Sequence, residues 1–173
     1  MGKGTVAAAL RLRHPEVWLS LSATTRPPRP GEQDGVHYHF VSDAVFDAMV
    51  AADELLEWAV VHGRYRYGTP RRPVEDRLDA GIPALLEIDL AGARQVRAVM
   101  PDARFVFLVP PSWSDLEDRL ARRGTEDAGE RALRLATARV ELAAADEFDH
   151  LVVNEEVEQA AAELATLMGL PTR

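Results

Sequence analysis

The chain has 173 residues, a formal charge of −8, 47% apolar and 28% charged residues, and no cysteine. That length and apolar share suit one ordinary domain with a full core, and the composition excludes intrinsic disorder, disulfides and thiolate metal sites. The acidic balance argues against a broad nucleic-acid surface, and no apolar run reaches the roughly 18 residues of a membrane span, so a soluble, cytoplasmic protein is expected, with neither nucleic acid nor membrane as partner.

Lys3 to Arg13 reads as a helix with Val6, Ala9 and Leu10 toward a core, stopped by Pro15. Val17 to Leu21 reads as a short strand, and a Pro-rich loop follows to about Val36. Next come a strand near His37 to Val41, a helix from Ser42 to about Ala52 with Ser42 and Asp43 as caps, and strand-like Leu55 to His62. Beyond a Gly/Arg/Tyr turn, Pro73 to Ala80 reads as a short helix and Ala84 to Ile88 as an apolar strand ended by Asp89. Helix 91–99, strand 105–109, helices 112–122 and 130–146, strand 150–153 and helix 156–168 complete the chain. This alternation predicts an α/β fold, a parallel sheet with helices on both faces. The stretch 22–82 breaks the rhythm and reads as an inserted substrate subdomain.

Nineteen of the basic residues are arginine and one is lysine. Lys3 lies in Gly2-Lys3-Gly4-Thr5, the second half of the phosphate-cradling pattern GxxxxGK[ST]. There backbone N–H groups at a helix N-terminus hold phosphates, the ammonium reaches the outer ones, and the hydroxyl meets magnesium. An ordinary helix start is the alternative reading of so short a fragment. The arginines gather at 26 and 29, at 64 to 72 and at 119 to 134, a distribution suited to a small, highly charged ligand.

Ser22 to Phe40 carries the strongest signal. Pro27, Pro28 and Pro30 bias the backbone to polyproline II, with about three residues per turn, so Arg26 and Arg29 are expected on one side of a stiff segment. Two guanidinium groups can then converge on one anion, with Tyr38 as a neutral donor. A Pro-rich surface loop or an SH3-type ligand is the alternative, but the stretch runs straight into a Tyr/Phe strand and an amphipathic helix. Glu87 and Asp89, at i and i+2, share a face at the end of an apolar strand, where α/β sheets gather their sites. His37 and His39 share a strand face, yet no third ligand is evident for zinc.

With Glu57-Trp58, Tyr67-Gly68-Thr69, Leu86-Glu87-Ile88-Asp89, Pro110-Pro111-Ser112, Arg122-Arg123-Gly124-Thr125, Arg134-Leu135 and Val152-Val153-Asn154, these motifs cover nearly the whole chain and resemble the guanylate kinases, which phosphorylate GMP with ATP. The resemblance implies a P-loop nucleoside monophosphate kinase fold: a core at 1–21, 83–119 and 137–173, a GMP-binding subdomain at 22–82 and a lid at 120–136. It implies ATP and GMP as substrates, dGMP as a second acceptor, and magnesium as cofactor with the ATP.

The same resemblance assigns residues. Gly2, Lys3, Gly4 and Thr5 would bind ATP, with Lys3, Arg119, Arg123 and Arg134 acting on the transferred phosphoryl group. Arg26, Arg29, Tyr38 and Tyr67 would hold the GMP phosphate, although Tyr65 could exchange roles with Tyr67. Glu57 would accept from the N1–H and N2–H₂ edge of guanine, with Ser22 and Thr69 as further base contacts. Glu87 would approach GMP, and Thr5 and Asp89 would serve the metal partly through water, Asp89 having a helix cap as its alternative role. No covalent intermediate is needed, because the acceptor is already a phosphate oxygen.

The family carries a buried first strand and a glycine turn before this GKGT, and here Met1 stands just before Gly2. The first core strand is therefore expected to be absent, with weak ATP binding by the chain as written and a longer reading frame upstream. Two rivals stand beside the enzyme: a non-catalytic guanylate-kinase-like module that binds a phosphopeptide, and a kinase of the same fold with another phosphorylated acceptor.

Overall fold

The computed structural model describes residues 2–61, 63–122 and 128–171. In chain order the elements are α1 (Lys3–Arg13), β1 (Trp18–Leu19), β2 (Ala23–Thr24), β3 (His39–Phe40), α2 (Asp43–Ala51), β4 (Leu55–Val61), β5 (Tyr65–Pro70), α3 (Arg71–Asp79), β6 (Ala84–Leu85), α4 (Leu90–Val99), β7 (Val106–Val109), α5 (Trp113–Arg122), α6 (Ala128–Ala143), β8 (His150–Val153) and α7 (Val157–Leu167). They form two compact units, one of residues 1–15 with 104–173 and one of residues 16–103.

In the first unit, α1 packs on α7. The contact face follows the helical period: Val6, Ala7, Ala9 and Leu10 are buried on α1, and Ala160, Ala161 and Ala165 on α7. Alanines on α7 let the two backbones come close without leaving voids. Strands β7 and β8 pair in parallel, Val106 with His150 through Val109 with Val153, and α5 and α6 supply the crossover that parallel pairing demands. At the open end of β8 the chain continues into Asn154, whose N–H donates to Val109 O at 2.8 Å.

The second unit contains a four-stranded mixed sheet in the order β3-β2-β5-β4. Strands β2 and β3 are parallel, while β5 runs antiparallel to β2 and to β4. Ala23, Phe46 and Leu55 form its core, with Val41, Met49 and Val50 packed around them. Full burial of Phe46 alone is worth about 2 to 3 kcal/mol. Ser42 caps α2 by accepting from the Val45 N–H at 3.2 Å. A separate parallel pair joins β1 and β6, and α4 packs against β4.

The α/β order and the parallel pairing of β1 with β6 and of β7 with β8 agree with the α/β fold expected from the sequence, and α1 and β8 have their expected bounds. Several elements differ. The turn expected after His62 is confined to a few residues, because Tyr65–Pro70 is a full strand paired with β4 from Val61↔Tyr65 to Leu55↔Pro70. Strand β2 lies inside what reads as loop, held by Thr24 Oγ1 donating to Arg66 O at 2.9 Å. The strand expected over Ala84–Ile88 stops at Leu85, where its partner β1 has ended: Ser20 N–H to Leu85 O is the last rung. The helix expected at 130–146 begins at Ala128 and ends at Ala143, after which Ala145–Glu147 tightens into a 3₁₀ turn.

Candidate functional site

Most of the expected acceptor residues lie within the second unit, and Arg26 is the centre of one group. The residue is 7% exposed, and its guanidinium forms a fork with Glu32: Nη1 donates to Oε2 and Nη2 to Oε1, both at 2.9 Å. Nε donates to the Tyr67 hydroxyl at 3.0 Å, and Nη1 also reaches Pro27 O at 2.8 Å. Every Arg26 N–H but one on Nη2 is thus engaged. The guanidinium carbon lies 5.4 Å from the centre of the Tyr38 ring, and the Tyr38 and Tyr67 rings meet edge to face at 5.8 Å. The fork to Glu32 and the bond to Tyr67 hold the Arg26 proton more tightly than usual. Glu32 is correspondingly pulled below the usual carboxylate range, chiefly by the Arg26 hydrogen bonds.

Arg29 joins the same carboxylate through its backbone, whose N–H donates to Glu32 Oε2 at 2.6 Å, while its side chain is exposed. The loop can do this because it reverses: Glu32 N–H donates to Arg29 O at 3.0 Å and Gly31 takes φ 86°. Of the two guanidinium groups, only that of Arg26 meets this carboxylate; Arg29 reaches it through its backbone N–H, because the reversal at Gly31 and not the polyproline geometry brings the two residues together. Burial pushes the Tyr38 hydroxyl above its ordinary range, with the charges of Tyr67 and Glu87 adding to this and Arg26 opposing it, so Tyr38 stays a protonated donor at neutral pH. Tyr67, not Tyr65, is the tyrosine beside Arg26. Tyr65 is covered instead by the Arg64 guanidinium at 4.9 Å.

The second group surrounds Glu57. This residue is 5% exposed and sits opposite Thr69 in the β4–β5 ladder. Thr69 Oγ1, fully buried, donates to Glu57 Oε1 at 2.6 Å. A carboxylate held on one oxygen by a neutral donor is still a strong acceptor for two adjacent N–H groups. Ser22 is half-buried at the start of β2, its carbonyl accepting from the His39 N–H at 2.9 Å. Glu87 and Asp89 follow β6, both half-buried. Asp89 caps α4, Oδ1 accepting from the Gly92 N–H at 2.8 Å, so the capping role is the one its Oδ1 performs. His37 Nδ1 accepts from the Gln33 N–H at 3.1 Å, and no cluster of three metal-binding side chains occurs among the described residues.

In the first unit Gly2 is the N-cap of α1, in the left-handed region at φ 81°, and no side chain caps the helix there. Lys3, Gly4 and Thr5 follow, exposed, on the opening turn. A Cβ at Gly2 would lie 2.8 Å from Asn154 Nδ2, and Arg119 Nη2 donates to Asn154 O at 2.8 Å. The start of α1, the end of β8 and α5 thus meet around Asn154. Arg134 is half-buried on α6, and Arg123 lies outside the described residues.

The guanylate kinase family model matches residues 1–169. The chain belongs to the guanylate kinase family. A guanylate kinase of Leifsonia xyli subsp. xyli is 64% identical over 168 residues, which are 97% of this chain and 66% of that protein. The guanylate kinase of Thermobifida fusca is 61% identical over 99% of this chain and 87% of its own length. The crystal structure of guanylate kinase from Anaplasma phagocytophilum superposes with a TM-score of 0.80 at 32% identity, covering 96% of this chain and 80% of that one. Guanylate kinases are ATP-dependent nucleoside monophosphate kinases, and that enzyme class comes with the family. No described helix is long and apolar enough to cross a membrane.

Sequence reasoning passed over two residues that the fold brings against Arg26 and Glu57. Glu32 follows Arg26 by six positions, a spacing with no helical or strand meaning, and only the reversal at Gly31 joins them. Gly92 left a signal that could have been used: a glycine early in a helix, where alanine would be the better helix former.

Proposed function

We propose that this protein transfers the γ-phosphoryl group of ATP to GMP, and to dGMP, giving ADP and GDP. The observation that carries the reading is the buried Glu57 carboxylate, held by Thr69. A carboxylate offers about four lone-pair sites on two adjacent oxygens, and the N1–H and N2–H₂ edge of guanine presents two adjacent donors that match them. Adenine lacks that pair, so a site built on Glu57 rejects it by about 10⁴ or more.

Each side chain then has a task. Arg26, Tyr38 and Tyr67 bind the acceptor phosphate, Arg29 adds its exposed charge, Ser22 and Thr69 line the base, and Glu87 lies toward the acceptor. The donor phosphates belong at the uncapped start of α1, where the N–H groups beyond Gly2 accept an anion and the Lys3 ammonium adds a point charge. Arg119, Arg123 and Arg134 neutralise charge that develops in transfer, a contribution worth about 10³ to 10⁵ in rate for an arginine so placed. The Thr5 hydroxyl and the Asp89 carboxylate are each an oxygen donor of the kind that suits magnesium, and each would serve the metal carried with ATP. With one Asp89 oxygen in the helix cap, that carboxylate serves best through a metal-bound water. Magnesium carried by ATP supplies charge neutralisation on the phosphate oxygens.

The experiment is calorimetric titration with GMP, dGMP and AMP, followed by coupled detection of ADP in the presence of ATP and magnesium. Binding of GMP and dGMP but not AMP, and ADP release that depends on GMP and is lost in Arg26→Ala, is the expected result. Phosphopeptide binding without turnover, or equal binding of AMP, refutes it.

A further inference from the structure

Gly92 is a buried residue in the first turn of α4, a place where glycine gives up more backbone freedom than any other residue. Its backbone does not require glycine, since it is absent from the positive-φ positions. Its N–H is already taken by Asp89. What distinguishes the position is space: a Cβ there would lie 2.4 Å from Glu57 Oε2, 3.0 Å from Glu57 Cδ and 3.3 Å from Ile88 Cβ. The carboxylate cannot simply swing away, because Thr69 Oγ1 holds its other oxygen at 2.6 Å.

One helical turn on, Gln95 faces the same strand. Its Nε2 donates to Trp58 O at 2.8 Å, and its Oε1 accepts from Trp58 N–H at 3.1 Å. The two hydrogen bonds act like a rung of a sheet and fix the backbone next to Glu57 against α4. Gly92 leaves the carboxylate its room, and Gln95 sets the distance between helix and strand.

We propose that Gly92 and Gln95 are positioning residues for base selectivity, fixing where the two oxygens of Glu57 stand and therefore which donor edge of a purine they can pair with. The proposal rests on the GMP reading of Glu57. In Gly92→Ala the new methyl displaces Oε2 and breaks the paired acceptance from N1–H and the 2-amino group, a loss that falls harder on GMP, which uses both donors, than on a purine with one. Titration of the full chain with GMP and with IMP, which keeps N1–H and lacks the 2-amino group, reads this directly. The GMP Kd rises about tenfold or more, and the preference for GMP over IMP falls by a similar factor. The melting temperature does not predict this change in preference, so a purely structural role would leave the ratio alone.

An unchanged GMP-to-IMP ratio in Gly92→Ala overturns the proposal, whether or not GMP affinity falls. Should that variant fail to fold, the double variant Glu57→Ala, Gly92→Ala decides: removing the carboxylate removes the clash and restores folding. A double variant that stays unfolded while Glu57→Ala folds alone overturns the proposal equally. Gln95→Met keeps the side-chain length and loses both bonds to Trp58, and it weakens GMP binding by roughly three- to tenfold with IMP less affected. No change in Gln95→Met overturns its part. Unaltered GMP preference in Glu57→Gln would instead sink the base reading itself, so the two failures are told apart.

Discussion

Replacing Glu32 by glutamine tests whether the Arg26 fork is an element of stability. The carboxylate accepts from Arg26 Nη1 and Nη2, each at 2.9 Å, and from Arg29 N–H at 2.6 Å. Glutamine can place its oxygen at the Oε2 position and keep two of those bonds, but its amide then meets Arg26 Nη2 donor to donor. One charge-assisted bond, worth about 1.5 to 3 kcal/mol, is lost, and the guanidinium keeps its charge without the compensating carboxylate. Breaking a fully buried pair costs about 3 to 5 kcal/mol. With Arg26 at 7% and Glu32 at 17% side-chain exposure, solvent screens part of this, and we expect about 2 to 3 kcal/mol at pH 7. Urea unfolding followed by tryptophan fluorescence measures it, since Trp18 and Trp58 share the unit that holds the pair. The sign with pH follows from the lowered pKa of Glu32. Its contribution is complete above the ordinary carboxylate value of about 4.3 and disappears as pH falls through the lower folded value. The difference between wild type and Glu32→Gln therefore shrinks as pH drops below about 4. A difference under about 0.5 kcal/mol at pH 7, or one that does not change with pH, refutes the reasoning.

Two further substitutions probe neighbouring links. Thr69→Val keeps the shape and removes the donor to Glu57, which should cost about 1 to 3 kcal/mol in unfolding free energy and weaken GMP binding about tenfold or more, measured by denaturant titration and calorimetry. Ser42→Ala deletes the cap of α2 and is expected to cost about 1 kcal/mol without changing GMP affinity.

What could be read from the sequence was what repeats. The apolar period of Lys3–Arg13 and the Leu-Val-Val run of β8 announced themselves, as did Ser42 before a helical pattern. Glu57, Thr69, Arg26 and Tyr67 could be singled out because their neighbours form recognisable motifs. Strand β5 was hidden because Arg64, Tyr65, Arg66, Tyr67 and Gly68 look like a turn by composition, and only pairing on both sides makes them a strand. Strand β2 is two residues long, below any periodic signal. The Arg26–Glu32 fork depends on a chain reversal, and the closeness of Gly92 to Glu57 depends on packing between a helix and a strand distant in sequence. These are tertiary facts that local pattern does not encode.

The β4–β5 ladder has one more consequence. Thr69, opposite Glu57, and Tyr67, bonded to Arg26, are two residues apart on one strand and point to the same face. Their backbone separation is therefore set by the pleat, at about 6.8 Å, and does not depend on any flexible segment. On the proposed reading the strand is a ruler laid along the acceptor, with the base read at one mark and the phosphate held at the next. A guanine nucleoside satisfies only the first mark and a free phosphate only the second, so the hairpin recognises a nucleotide by the span between base and phosphate as well as by their chemistry.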